Sequence, residues 1–187
     1  MAEKTRSRSI ATQPTVSRPE LLVGNSDYAF RQFVHDTLAF SARLQQVRSQ
    51  LGQVIGLSGT QYTVLIAIAH LQAEDEKVGV NLVADHLHFS GAFITIEINK
   101  LVAAGLVEKE TDSVDRRRVV LTITSKARAR LNELAPVQRP ANDLLFSSLS
   151  AKDFERLRKI MSRLVGTADK AINLLEYTTP IASRSAK

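Results

Sequence analysis

Two groups of residues have the types and spacing to do chemistry. The first is Asp115-Arg116-Arg117-Arg118, which closes the polar stretch Thr111 to Arg117 and opens the run that follows it. A guanidinium offers paired donors to phosphate oxygens and is drawn into the negative potential of a DNA minor groove. Side chains alternate along a strand, so three adjacent arginines cannot all point one way. Asp115 paired with one of them would hold the turn while another reaches a minor groove. A solvated charge run is the plain alternative. The second group lies on a helix expected from Ala92 to Ala104, where Ile94, Ile98 and Leu101 form a core-facing stripe. Turned away from that stripe are Ala92, Thr95, Ile96, Asn99 and Lys100. Small, amide and apolar side chains on such a face suit a major groove: Thr bonds phosphate or a base edge, Asn bonds adenine, and Ala or Ile meets a thymine methyl. A merely solvated face is the alternative, and exposed Ile96 argues against it. Glu97 fits poorly there unless it accepts from cytosine or pairs with a basic neighbour.

Other chemistries find little support. The four histidines are His35, His70, His86 and His88. His86 and His88, two residues apart, point to different faces if both lie on a helix, and no third ligand falls at an obvious spacing, so no metal site is expected. No nucleophile elbow, phosphate loop or paired metal motif is present, and neither catalysis nor a cofactor is expected. Cysteine is absent, which removes disulfides, cysteine zinc sites, thiol switches and cysteine nucleophiles together.

The 187 residues are 44% hydrophobic and 24% charged, enough for a core of ordinary domain size. Lys and Arg number 25 against 19 Asp and Glu, a surplus that favours nucleic acid or an anionic surface as partner. The longest apolar run, Val64 to Ala69, falls far short of the ~20 residues a membrane helix needs, and no apolar segment follows the early positive charges. A cytoplasmic protein with no membrane partner is expected.

The elements that must position the two groups follow from periodicity. Residues 1–24, rich in Arg, Ser, Thr and Pro, read as a disordered basic arm. From Ser26 to about Leu51, apolar residues recur in threes and fours, a long helix with one buried stripe. Gly52, Gly56 and Gly59 break the chain, and Ser58 with Gln61 makes a capping box for a second, nearly all-apolar helix reaching about Leu71. Val78 to Val80 is a candidate edge strand. Asn81 to Leu87 is a short helix, and the turn His88 to Gly91 leads into the helix already described, stopped by Gly105. Leu106 to Glu110 and Arg118 to Ile123 read as paired strands. Thr124 caps a further helix that Pro136 and Pro140 must kink or interrupt. Ser150 with Asp153 caps a last helix, whose stripe runs from Phe154 to Leu175, and residues 179–187 read as a frayed tail. A helix-turn-helix followed at once by a hairpin with a basic tip is a winged helix; the fold class is mainly α with a small β-hairpin wing.

Leu82 to Thr124, with its helix–Ser–helix–GLVEK–strand–DRR–strand–LT series, resembles the multiple-antibiotic-resistance regulator (MarR) family of winged-helix repressors. Leu57 to Tyr62 is similar to that family's approach to its second helix, and the likeness extends over residues 26–178. The resemblance implies a winged helix-turn-helix at 57–124 within a domain at 25–178, and homodimerisation through residues 26–52 and 125–178. It implies a repressor on a near-palindromic DNA operator, released by a small organic ligand, often an aromatic acid. By position it makes Ser90, Ala92, Thr95, Ile96, Asn99 and Lys100 recognition-helix contacts and Asp115, Arg116 and Arg117 the wing motif. His35, Phe40, Arg43 and Tyr62 are the residues it suggests for the ligand pocket. Glu97 and Ala127 depart from the family pattern. Two other classes stay open: a nonspecific architectural DNA binder and a winged-helix protein-interaction module.

Overall fold

The computed structural model describes residues 13–74, 77–113 and 115–185, with side chains through residue 178. Its order is α1 (Tyr28–Val54), α2 (Gly59–Glu74), α3 (Val80–Leu87), α4 (Gly91–Ala103), β1 (Val107–Thr111), β2 (Val119–Ile123), α5 (Ser125–Leu145) and α6 (Ala151–Ser185). The chain forms two compact units, divided between Ala135 and Pro136.

In the first unit α2 is the centre. Tyr62, Val64, Leu65, Ile68 and Leu71 are buried around much of its circumference, with Val83 of α3, Ile94, Ile98 and Leu101 of α4, and Leu121 of β2. Its start is the expected capping box: the Ser58 N–H donates to Gln61 Oε1 at 2.9 Å and the Gln61 N–H to Ser58 Oγ at 3.1 Å. Gly52 does not break α1, which runs on to Val54. A Cβ at Gly52 would lie 3.0 Å from the carbonyl oxygens of Leu57 and Ser58, so glycine is there for close packing. The turn itself uses Gly56, at φ +73°. The α1 stripe is buried only at its end, by Leu51; Phe33, Val34 and Leu38 are exposed.

The hairpin pairs Val107 with Ile123 through Thr111 with Val119, one residue later at its first strand than the sequence suggests. The expected edge strand at Val78–Val80 is absent: Val80 already begins α3. Only the Val78 carbonyl joins the sheet, accepting the Leu121 N–H at 2.8 Å. The segment supplies one rung because helix geometry starts two residues later.

The arm departs from expectation over residues 13–24. There the Thr15 N–H and hydroxyl each donate to Asp27 at 2.7 Å, and Asp27 also pairs with Arg31 at 3.0 Å. These bonds hold the Asp27 carboxyl below its ordinary range, the Thr15 donors contributing most. Residues 1–12 lie outside the described residues.

α5 starts on Thr124, whose Oγ1 accepts the Ala127 N–H at 3.1 Å. Pro136 and Pro140 do not interrupt it. The carbonyls they leave without a helical donor belong to Asn132 and Pro136, both exposed residues. In the second unit, α6 begins on the Ser150–Asp153 capping box and continues to Ser185, past the point where the sequence suggests fraying. Every α6 residue from Ala151 to Thr178 is exposed, its apolar stripe included.

Candidate nucleic-acid interface

The turn between α3 and α4 is built by His88, whose backbone is left-handed at φ 53°, while the Phe89 N–H returns to the Ala84 carbonyl at 3.0 Å. Ser90 then caps α4 by accepting the Phe93 N–H at 3.3 Å. At the far end the Gly105 N–H bonds the Val102 carbonyl and the Leu106 N–H bonds the Leu101 carbonyl, both at 2.9 Å. That is a Schellman stop, with Gly105 at φ +67°. Lys126 adds a cation there, donating to the Ala104 carbonyl at 2.8 Å. α4 is thereby fixed at both ends.

With Ile94, Ile98 and Leu101 inward, α4 exposes Ala92, Ile96, Asn99 and Lys100, and leaves Thr95 half-buried. The Thr95 hydroxyl donates to the Gly91 carbonyl at 2.7 Å, which leaves its oxygen only as an acceptor. Asn99 Oδ1 accepts from Lys109 at 3.3 Å and keeps a second lone pair. Glu97 takes the second of the two options set out for it. It is 6% exposed and accepts from Lys100 at 2.7 Å, so its charge is offset within the helix by Lys100, which keeps two further N–H donors.

The wing sorts its arginines. Asp115 pairs with Arg118 (3.3 Å), and its Oδ1 accepts the Arg117 N–H at 3.1 Å. Arg116 and Arg117 are exposed, and among the described residues neither side chain has an ion pair. The sequence reading missed what anchors this turn. Asp112, 7% exposed, accepts from Lys77 at 2.9 Å and from the Asp115 N–H at 3.1 Å. No local spacing signals the contact, because Lys77 lies on the other side of α3 and α4. It also missed Phe89 and Phe93, which stack edge to face outside the core stripe with centroids 5.3 Å apart. Their apolar character at a polar-looking turn was the available signal.

Of the four suggested ligand residues, Tyr62 lies in the core of this unit and the other three lie on α1. Tyr62 is 1% exposed beneath the Arg48 guanidinium, 5.0 Å from the ring centroid. Burial raises its phenol above the ordinary range, and Arg48 also donates to Thr63 Oγ1 at 2.8 Å. His35, Phe40 and Arg43 are exposed on α1; His35 and Arg43 are about 12 Å apart along the axis. A cavity of about 470 Å³ beside the wing base is lined by other residues, among them Lys77, Asn81, Asp112 and Arg117. Among the described residues no three His, Asp or Glu side chains are placed to hold a metal.

Residues 55–118 match the model of the MarR family. No curated protein matches the chain. Among solved structures, the regulator BldR from Sulfolobus solfataricus is 27% identical with a TM-score of 0.59, covering 73% of this chain and 96% of its own. A MarR protein from Peptoclostridium difficile is 18% identical with a TM-score of 0.63, covering 83% and 96%. A MarR variant from E. coli, solved with operator DNA, is 16% identical with a TM-score of 0.59, covering 73% and 94%.

Proposed function

We infer that this chain, whose residues 55–118 match the model of the MarR family, is a DNA-binding transcriptional regulator. The observation that carries the reading is the pairing of a doubly capped helix, α4, with a wing whose Arg116 and Arg117 are exposed and, among the described residues, without an ion pair. A recognition helix in a major groove places base edges against Ala92, Ile96 and Asn99. Guanidinium groups at the wing then supply charge to phosphates or the adjacent minor groove. The similar structure solved with operator DNA supports DNA binding as the function.

We further propose a homodimer. α6 exposes Phe154, Leu157, Ile160, Met161, Leu164 and Val165, and α1 exposes Phe33, Val34 and Leu38. Apolar stripes this long are costly in water and call for a partner surface. Two copies would set their α4 helices on half-sites about 34–36 Å apart along one face of the duplex. Repression, with release by a small organic ligand, completes the proposal and rests on the family resemblance. Such a ligand acts by favouring a dimer whose α4 spacing does not match the operator.

Footprinting on DNA upstream of the chain's own gene tests the reading. Two protected, inverted half-sites with centres one helical turn apart support it. Uniform protection that ignores sequence would instead favour an architectural DNA binder.

A further inference from the structure

The outward face of α4 is almost without charge. Its sequence, GAFITIEINKLVA, contains no arginine, and its one cation, Lys100, is bound to Glu97 at 2.7 Å. Asn99 and Lys100 are exposed toward its C-terminal half, and what the first two turns present to solvent is mainly apolar. Ile96 is 54% exposed, Ala92 is exposed, and Phe93 and Phe89 are both more than a third exposed. Isolated exposed apolar residues are ordinary, but these gather over the turn and the first two turns of the helix, the part that meets base edges. In the major groove guanine is read chiefly by bidentate arginine or lysine, and α4 presents no arginine and a lysine already paired. The feature that an apolar side chain recognises there is the 5-methyl group of thymine.

We propose that Ile96 and Phe93, the latter braced edge to face by Phe89, read thymine methyl groups in each half-site. Thymine, with adenine suited to Asn99, then specifies the half-site through α4, and guanine does not. This rests on the reading that α4 enters a major groove. The positive charge for phosphate comes from the wing, leaving α4 free to carry an apolar face.

The test is selection of duplexes by the full chain from two randomised pools, one amplified with thymidine triphosphate and one with deoxyuridine triphosphate. Deoxyuridine pairs as thymidine does and lacks only the methyl. The expected result is a thymine-containing site enriched from the first pool, which binds about fourfold more weakly for each contacted methyl removed. With one such thymine per half-site, the loss is about 16-fold across a dimer. Ile96→Ser, at an exposed position, should keep the parent melting temperature; Phe93→Ala gives up its contact with Phe89 and should melt a few degrees lower while staying folded. Both should lose most of this discrimination. Equal binding of the selected site in its thymine and uracil forms would overturn the proposal while leaving sequence-specific binding intact. So would variants that discriminate as well as the parent. Failure to enrich any sequence from either pool would overturn the methyl reading and the operator reading together.

Discussion

Replacing Arg116 and Arg117 together with glutamine isolates the charge that the wing would bring to DNA in the proposed complex. Neither side chain has an ion pair among the described residues, and the Arg117 N–H bond to Asp115 is made by the backbone. The double variant should therefore fold with a stability change within about 0.5 kcal/mol. Each phosphate-neutralising cation contributes about 0.9 to the slope of log K against log salt. Two arginines per chain, in the proposed dimer, lower that slope by about 3.6. Between 50 and 200 mM salt the parent thus loses about 150-fold more affinity than the variant does. Arg118→Gln is the internal control, because Arg118 is engaged with Asp115 at 3.3 Å; its slope should stay within about 1 of the parent. Fluorescence anisotropy on one labelled duplex, stepped through the salt range, reads all three proteins. An unchanged slope in the double variant, or a larger drop for Arg118→Gln, would refute this assignment of the wing arginines.

Gly52→Ala gains about 1 kcal/mol of helix propensity but sets a methyl 3.0 Å from two backbone carbonyl oxygens that cannot swing aside. A net loss of about 1–2 kcal/mol in urea denaturation is expected, and a stabilised variant would contradict the packing described. Asp112→Ala removes both the Lys77 pair and the acceptor for the Asp115 N–H; it should cost about 1.5–3 kcal/mol and speed amide exchange at Asp115. A cost below about 0.5 kcal/mol would show that Asp112 does not anchor the wing. The Asp27 carboxyl has a folded pKa below its unfolded value. Its stabilisation is therefore present above the unfolded value and fades as pH falls through the folded one. NMR should show this carboxyl titrating below about 3.9, with the Thr15 amide following it; titration at or above that value would rule the contact out.

Much of the molecule was legible because short-range chemistry decides it. The Ser58–Gln61 and Ser150–Asp153 boxes, the Gly105 stop and the Thr124 cap each involve residues only a few positions apart. Their side chains can satisfy helix-end groups in one arrangement. What escaped was decided at a distance. Gly52 reads as a breaker locally, yet the chain returns close enough that only glycine fits inside the helix. Val78 reads as a strand, but a single carbonyl reaches Leu121. Pro136 and Pro140 read as kinks or interruptions, whereas α5 runs through both at exposed positions. At the candidate interface, residue types pointed to α4 and the wing as the proposed reading surfaces. The division of labour among the three arginines, and the burial of Glu97 under Lys100, needed the structure, because alternation and helical period do not say which partner each charge finds.

The central claim is that the chain recognises a particular DNA sequence. Its most direct test is an equilibrium titration against the DNA upstream of its own gene and a scrambled duplex of equal length, at about 150 mM salt. The account predicts preference for the native fragment by about 10³-fold or more. Equal affinity for the two duplexes, or no binding to either, would contradict it.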